Sequence, residues 1–171
     1  MFNKEKFVPV FLNKGQYTTI GPNEIWKVYN NLHGIFRSGG NTSTPKIVRA
    51  DGPRRKDLDI RLDPASGLEM VFPNPIKGLS FADSIDTLAR KSLEGQVWII
   101  PKGSKIPGNS VFNIKDKDHP LLNVSKPMSV LELTALLTEL ASLMKPCDVK
   151  IDRQGKIIEK YPGALSKVAN A

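Results

Sequence analysis

Cysteine is almost missing from this 171-residue chain: Cys147 stands alone, so no intrachain disulfide forms and the fold must hold by packing, as suits a reducing compartment. With Pro146 and Asp148 beside it and no histidine close in sequence, Cys147 reads as a structural thiol rather than a nucleophile. Long hydrophobic runs are missing too. The N-terminal MFNKEKFVPVFLNKGQ has an apolar run broken by Pro9, too short for a signal-peptide core, and nothing later approaches a membrane-spanning length. The expectation is a protein that acts in the cytosol, has no membrane partner, and leaves its cell, if at all, by a route that reads no cleavable signal. GxGxxG, Walker, CxxC, HExxH and GxSxG patterns are absent, which argues against the common dinucleotide, NTPase, zinc and hydrolase sites. Two histidines, His33 and His119, are too few for a histidine-rich metal site, and no metal is expected.

What is present bounds the architecture. A chain of 171 residues that is 40% hydrophobic is long enough for one sizeable core and short for two, so residues 1–171 are expected to form one compact domain. The 25 basic residues against 17 acidic ones leave +8, a field that attracts anionic partners such as nucleic acid, a nucleotide cofactor, an acidic protein or anionic lipid without choosing among them.

Glycine and proline, 13 of each, cut the chain into short runs and favour strands joined by loops. EIWKVYNN (24–31), DLDIRLD (57–63), QVWIIP (96–101), SVFNIK (110–115) and LLNV (121–124) read as strands, the second by strict alternation and the third as a central strand flanked by the next two. Helices are expected over about 83–92 and from Ser129 to Met144, where Ser129 and Glu132 match a capping box ahead of a leucine stripe. The segment after Pro146 reads as a hairpin turning at RQGK, followed by a frayed tail, GALSKVANA.

Several polar residues are candidates for chemistry. Ser80 and Ser84 lie where a short strand turns into a helix in KGLSFADSIDTLARK, so each is either a helix cap or a ligand-facing hydroxyl. Arg49, Arg54, Arg55, Lys56 and Arg61 crowd into RADGPRRKDLDIR, either a solvated run or a phosphate- or partner-binding one. Arg61 shares a strand face with Asp59 and Asp63, and Lys27 stands between Trp26 and Val28, an odd place for a lysine in a core strand. His119 precedes a strand with Asp118 adjacent, and by itself is either a structural hydrogen-bonder or a catalytic group.

The order GLSFADSIDTL, QVWIIPKGSKIPGNSVFNIKD, DHPLLNVSKPMSVLELTALLTEL resembles the type VI secretion exported effector two family, toxins of the ADP-ribosyltransferase-like class. WIIPKGSKIP at 98–107 and His119 followed by a strand and by KPM at 126–128 are the most specific matches. The resemblance covers about 25–145, leaving the hairpin at 146–161 outside the core. It implies an α+β fold in which two short, mostly antiparallel sheets form a cleft with flanking helices, and an enzyme that binds NAD and transfers ADP-ribose to a protein or nucleic acid acceptor, or hydrolyses NAD. Ser80 and His119 are implied as catalytic, with Lys27, Arg61, Ser80 and Trp98 as the NAD-binding set, Trp98 being equally readable as core. EIWKVY is taken as the first strand, where related enzymes carry an arginine or histidine on the NAD diphosphate or ribose; Lys27 stands there instead, a point charge without the arginine fork. No E-x-E glutamate is found. A toxin of this kind implies an acidic immunity protein to silence it. An RNA-directed nuclease or phosphotransferase, and a non-enzymatic basic binding domain, are the alternatives.

Overall fold

A computed structural model describes residues 15–30, 32–40, 43–47 and 57–169; Arg49, Arg54, Arg55 and Lys56 of the basic run lie outside them. In chain order the elements are β1 (Thr18–Ile20), a 3-10 turn (Pro22–Glu24), α1 (Ile25–Val28), β2 (Gly34–Ser38), β3 (Asp59–Leu62), β4 (Glu69–Phe72), β5 (Leu79–Ser80) and α2 (Ile85–Arg90). There follow β6 (Gly95–Pro101), β7 (Ser110–Ile114), β8 (Leu121–Val124), β9 (Met128–Ser129), α3 (Val130–Leu143), β10 (Lys145–Ile151), β11 (Ile157–Glu159) and α4 (Ala164–Ala169). The strands form three antiparallel sheets, ordered β1-β7-β8-β5, β11-β10-β6-β2 and β3-β4-β9. The fold is therefore α+β, with a third sheet beyond the two expected.

Local chemistry explains the helices. The Ser129 hydroxyl accepts from the Glu132 amide at 3.1 Å and starts α3, whose Leu133, Leu136, Leu137 and Leu140 are buried at the helical spacing. Each such leucine contributes about 1.5–3 kcal/mol by leaving water, so this face docks α3 on the main core, which spans all three sheets.

EIWKVYNN is not a strand. Pro22 opens a helical turn, the Glu24 carboxylate accepts from the Gly21 amide at 3.1 Å, and α1 continues from it with Ile25 and Val28 buried. Trp26 then donates its indole N–H to the Ser104 carbonyl at 2.8 Å, and the Ile106 amide donates to Asn23 at 3.1 Å. These bonds fasten KGSKIPG (102–108) to the turn, and that loop carries the chain from one sheet to another. SVFNIK and LLNV accordingly pair with each other, in a different sheet from QVWIIP.

The C-terminal hairpin is integral to the second sheet, because β10 pairs with β6 as well as β11. The tail forms α4 rather than fraying: Glu159 accepts the Leu165 amide at 2.9 Å and Ala164 is buried in a second apolar cluster with Phe36, Leu88, Val97 and Ile151.

Two features position the site. Phe36 and Ala82 exchange backbone hydrogen bonds at 2.8 and 2.7 Å, so the edge strand of the second sheet (β2) touches the segment leaving the edge strand of the first (β5). The two sheets thus meet at a seam. Behind β5, the fully buried Asn113 and Asn123 each donate to the carbonyls of Asn74 and Lys77 at 2.7–3.2 Å, which fixes the loop that delivers Gly78, Leu79 and Ser80.

Candidate functional site

Ser80 ends β5 opposite Leu121 of β8. Strand alternation puts its side chain on the face away from Leu79 and Phe81, both core residues. It is not the helix cap. Ser84 takes that role, accepting the Thr87 amide at 3.1 Å, while Asp83 accepts the Thr87 hydroxyl at 2.7 Å. The half-buried Ser80 side chain forms no hydrogen bond among the described residues, so its hydroxyl is available to a ligand.

His119 sits one strand away. Pairing continues beyond β5 and β8 through Phe81 N–H to Pro120 O at 2.9 Å and Asp83 N–H to Asp118 O at 3.1 Å, which sets Ala82 opposite His119. Ser80 and His119 are then diagonal cross-strand neighbours on one face, with Cβ atoms roughly 7 Å apart in such a pairing. The loop that carries the histidine is held at several points: His119 N–H donates to Asp116 O at 2.9 Å, the Tyr29 hydroxyl donates to Lys117 O, and Arg90 pairs with the Asp118 carboxylate at 2.9 Å. Tyr29 is itself buried, and burial together with the nearby Asp83 and Asp118 carboxylates raises its pKa, so it is a neutral donor.

The His119 Nε2 atom is buried without a hydrogen-bond partner among the described residues. Burial lowers the pKa of the ring below 6.5 and the Lys91 ammonium lowers it further, against the opposing pull of Asp118 and Asp116. His119 is therefore neutral at pH 7 and able to accept a proton or a hydrogen bond.

Arg37, in GIFRS, completes the site. It lies on β2 opposite Trp98, and its Nη1 donates across the seam to the Ser80 carbonyl at 2.7 Å, with the guanidinium 5.9 Å from the centre of the Phe81 ring. The strand that meets Ser80 at the seam is thus β2 and not EIWKVY, and it carries an arginine. The sequence signal for it is a short apolar run, Ile35-Phe36, carrying one cation and stopped by Gly39-Gly40.

The structure distributes the other candidates differently. Lys27 is exposed on α1. Arg61 belongs to the third sheet, where it pairs with Asp59 at 3.3 Å and stacks 3.9 Å over Phe72. Neither lies in the sheet that carries Ser80 and His119. Trp98 is 3% exposed, in the main core, with its indole N–H on the Gly39 carbonyl at 3.1 Å, and so is core rather than the wall of a ligand site. Cys147 is buried, and burial with the adjacent Asp148 pushes its thiol up to about 11, which keeps it protonated and unreactive at neutral pH.

Among the described residues no cluster of three histidine, cysteine or carboxylate side chains is placed to hold a metal, and no helix is long and apolar enough to cross a membrane. A cavity of about 470 Å³ opens on β10 and β11, lined by neither Ser80 nor His119 nor Arg37. No protein-family model, curated protein or solved structure matches this chain.

Proposed function

We propose that this chain is a toxin that binds NAD at the seam between its first two sheets and transfers ADP-ribose to a cytosolic macromolecule, or to water. The observation that carries this reading is the Arg37 bond to Ser80 across the seam at 2.7 Å, with His119 diagonal to Ser80 on the neighbouring strand. The resemblance implies an arginine or histidine on the first strand and needs the residues at Ser80 and His119, and Arg37, Ser80 and His119 supply that set in an α+β fold.

The residues fit such a substrate. A guanidinium fixed by a main-chain carbonyl is suited to the diphosphate, because planar donors match phosphate oxygens and the charge is permanent. The Ser80 hydroxyl is placed for a ribose hydroxyl. Breaking the bond from ribose C1′ to the nicotinamide nitrogen builds positive charge on the sugar while neutral nicotinamide leaves with the bonding electrons. A neutral imidazole suits that step twice: it adds no repelling charge beside the sugar, and a turn of the ring that uncovers its buried Nε2 lets it take the proton from the incoming acceptor. His119 thus stands in for the carboxylate that an E-x-E motif would supply.

Such an activity requires a silencing partner in the producing cell, and at net +8 the partner chemistry is that of an acidic immunity protein. The test combines two assays. Wild-type protein incubated with NAD labelled in the adenylate and with cell lysate is expected to release nicotinamide and label macromolecules, and its expression in a bacterial cytosol is expected to stop growth. Ser80→Ala and His119→Ala should lose both effects. Wild type that releases no nicotinamide, binds no NAD by calorimetry and leaves growth unaffected overturns the proposal.

A further inference from the structure

We propose that the β10–β11 end of the second sheet, where β10 bulges away from β6, binds a nucleoside monophosphate unit, at a site separate from the seam. The register makes the site. Pro146 pairs with Trp98 and Lys150 with Gln96, so Cys147, Asp148 and Val149 stand against Val97 alone. The ladder is interrupted there, and the Gln96 side chain replaces the missing donors: its Nε2 donates to the carbonyls of Cys147 and, at 3.2 Å, of Val149. A bulge braced in this way is a built feature, and bulges are found beside binding sites because they re-aim side chains. The resulting groove has a volume of about 470 Å³, within the range of small-molecule sites.

Its chemistry is asymmetric. Alternation along β10 sends Cys147 and Val149 into the second apolar cluster and sends Pro146, Asp148 and Lys150 to the opposite face. On β11, Ile158 pairs with Lys150, and Lys160 follows two residues on, with its Nζ 4.0 Å from the Asp148 carboxylate. Lys150 forms no ion pair among the described residues. The groove therefore offers two ammonium groups, one carboxylate between the strands, and an apolar floor of Pro146 and Ile158.

A nucleoside monophosphate satisfies each part: phosphate on Lys150 and Lys160, ribose hydroxyls on Asp148, the base on the apolar floor. A simple anion would meet Asp148 and leave the floor unused, and an uncharged sugar would leave Lys150 without an anion. A second cavity of about 480 Å³ shares Gln96 and Lys150 and adds Arg153, so the groove continues past the phosphate position. The ligand is thus either a free nucleotide or one unit of a single strand, recognised by the same chemistry.

Isothermal titration of the wild-type chain with AMP, adenosine, inorganic phosphate and a short oligoadenylate distinguishes these. AMP is expected to bind at least about tenfold tighter than adenosine or phosphate, since each lacks half of the recognition set. Lys150→Glu should weaken AMP by about tenfold or more with an unchanged melting temperature, Asp148→Asn should weaken AMP but not phosphate, and Ser80→Ala should bind AMP as wild type does. Oligoadenylate tighter than AMP assigns a strand; equal affinity assigns the free nucleotide. AMP that binds no tighter than adenosine, that is indifferent to Lys150→Glu, or that is lost in Ser80→Ala overturns the proposal, and the first two outcomes leave the NAD reading of the seam intact.

Discussion

Replacing Arg37 by lysine keeps the charge at the seam and removes the planar fork, so it separates what geometry contributes from what charge contributes. Arg37 Nη1 lies 2.7 Å from the Ser80 carbonyl in a partly buried position, and a hydrogen bond from a charged donor is worth about 1.5–3 kcal/mol. Water replaces part of that bond in the variant, leaving an expected stability loss of about 1–2 kcal/mol. For a chain of this size one kcal/mol shifts the melting temperature by about 2–4 °C, so calorimetry should find Arg37→Lys lower by roughly 2–8 °C and still cooperative. Activity should suffer more. If the same guanidinium orients the NAD diphosphate, lysine cannot hold both the carbonyl and the phosphate in one geometry, and kcat/KM for nicotinamide release should fall by about 10- to 100-fold, or about 1.4–2.7 kcal/mol of transition-state stabilisation. Arg37→Lys with kcat/KM within about twofold of wild type would refute the reasoning, whatever its melting temperature.

Other consequences are simpler to read. Ser129→Ala removes the α3 cap bond and should cost about 1 kcal/mol in urea unfolding, with the helix retained in circular dichroism. Asn123→Leu removes two donors from the loop that delivers Ser80, at 3.2 and 2.9 Å; because Asn113 still serves both carbonyls, the loss should be about 2–3 kcal/mol, and a value near zero would show that the clamp is not what fixes the loop. The depressed pKa of His119 has a signed consequence. Below its ordinary value of 6.5 the unfolded chain takes up the proton first, so this histidine's contribution is intact above that pH and is lost as pH falls toward the folded pKa. Urea unfolding between pH 7 and 5 should show His119→Gln losing less stability than wild type, and identical losses would place the titration elsewhere.

Much of the fold is legible because local chemistry and tertiary packing agree. The Ser129 cap, the leucine spacing in α3, a strand within DLDIRLD and the Arg153-Gln154-Gly155 turn recur in the structure at the expected places, although Leu62 faces solvent and, among the described residues, only the Ser129 half of the Glu132 box forms. EIWKVYNN misleads because its aromatic and β-branched content favours a strand, while the preceding GPNE closes a helical turn and Trp26 and Asn23 are engaged by a loop more than 75 residues later in the chain. Reading EIWKVYNN as a strand points to Lys27 and passes over Arg37, whose five-residue strand is identified by pairing with β6 rather than by any local pattern. Ser80 was readable as more than a cap only in company; with Ser84 in the cap, its hydroxyl is released for other work.

The NAD site we propose is the seam joining β2, β5 and the start of β8. Its most direct test is a titration of the isotope-labelled chain with NAD followed by amide and imidazole resonances. Saturable shifts are expected to concentrate in Gly34–Ser38, Leu79–Asp83 and Asp118–Leu122, with the His119 ring among the largest, and to be lost in Arg37→Ala. Saturable shifts confined to other elements, or none at millimolar NAD, would contradict it.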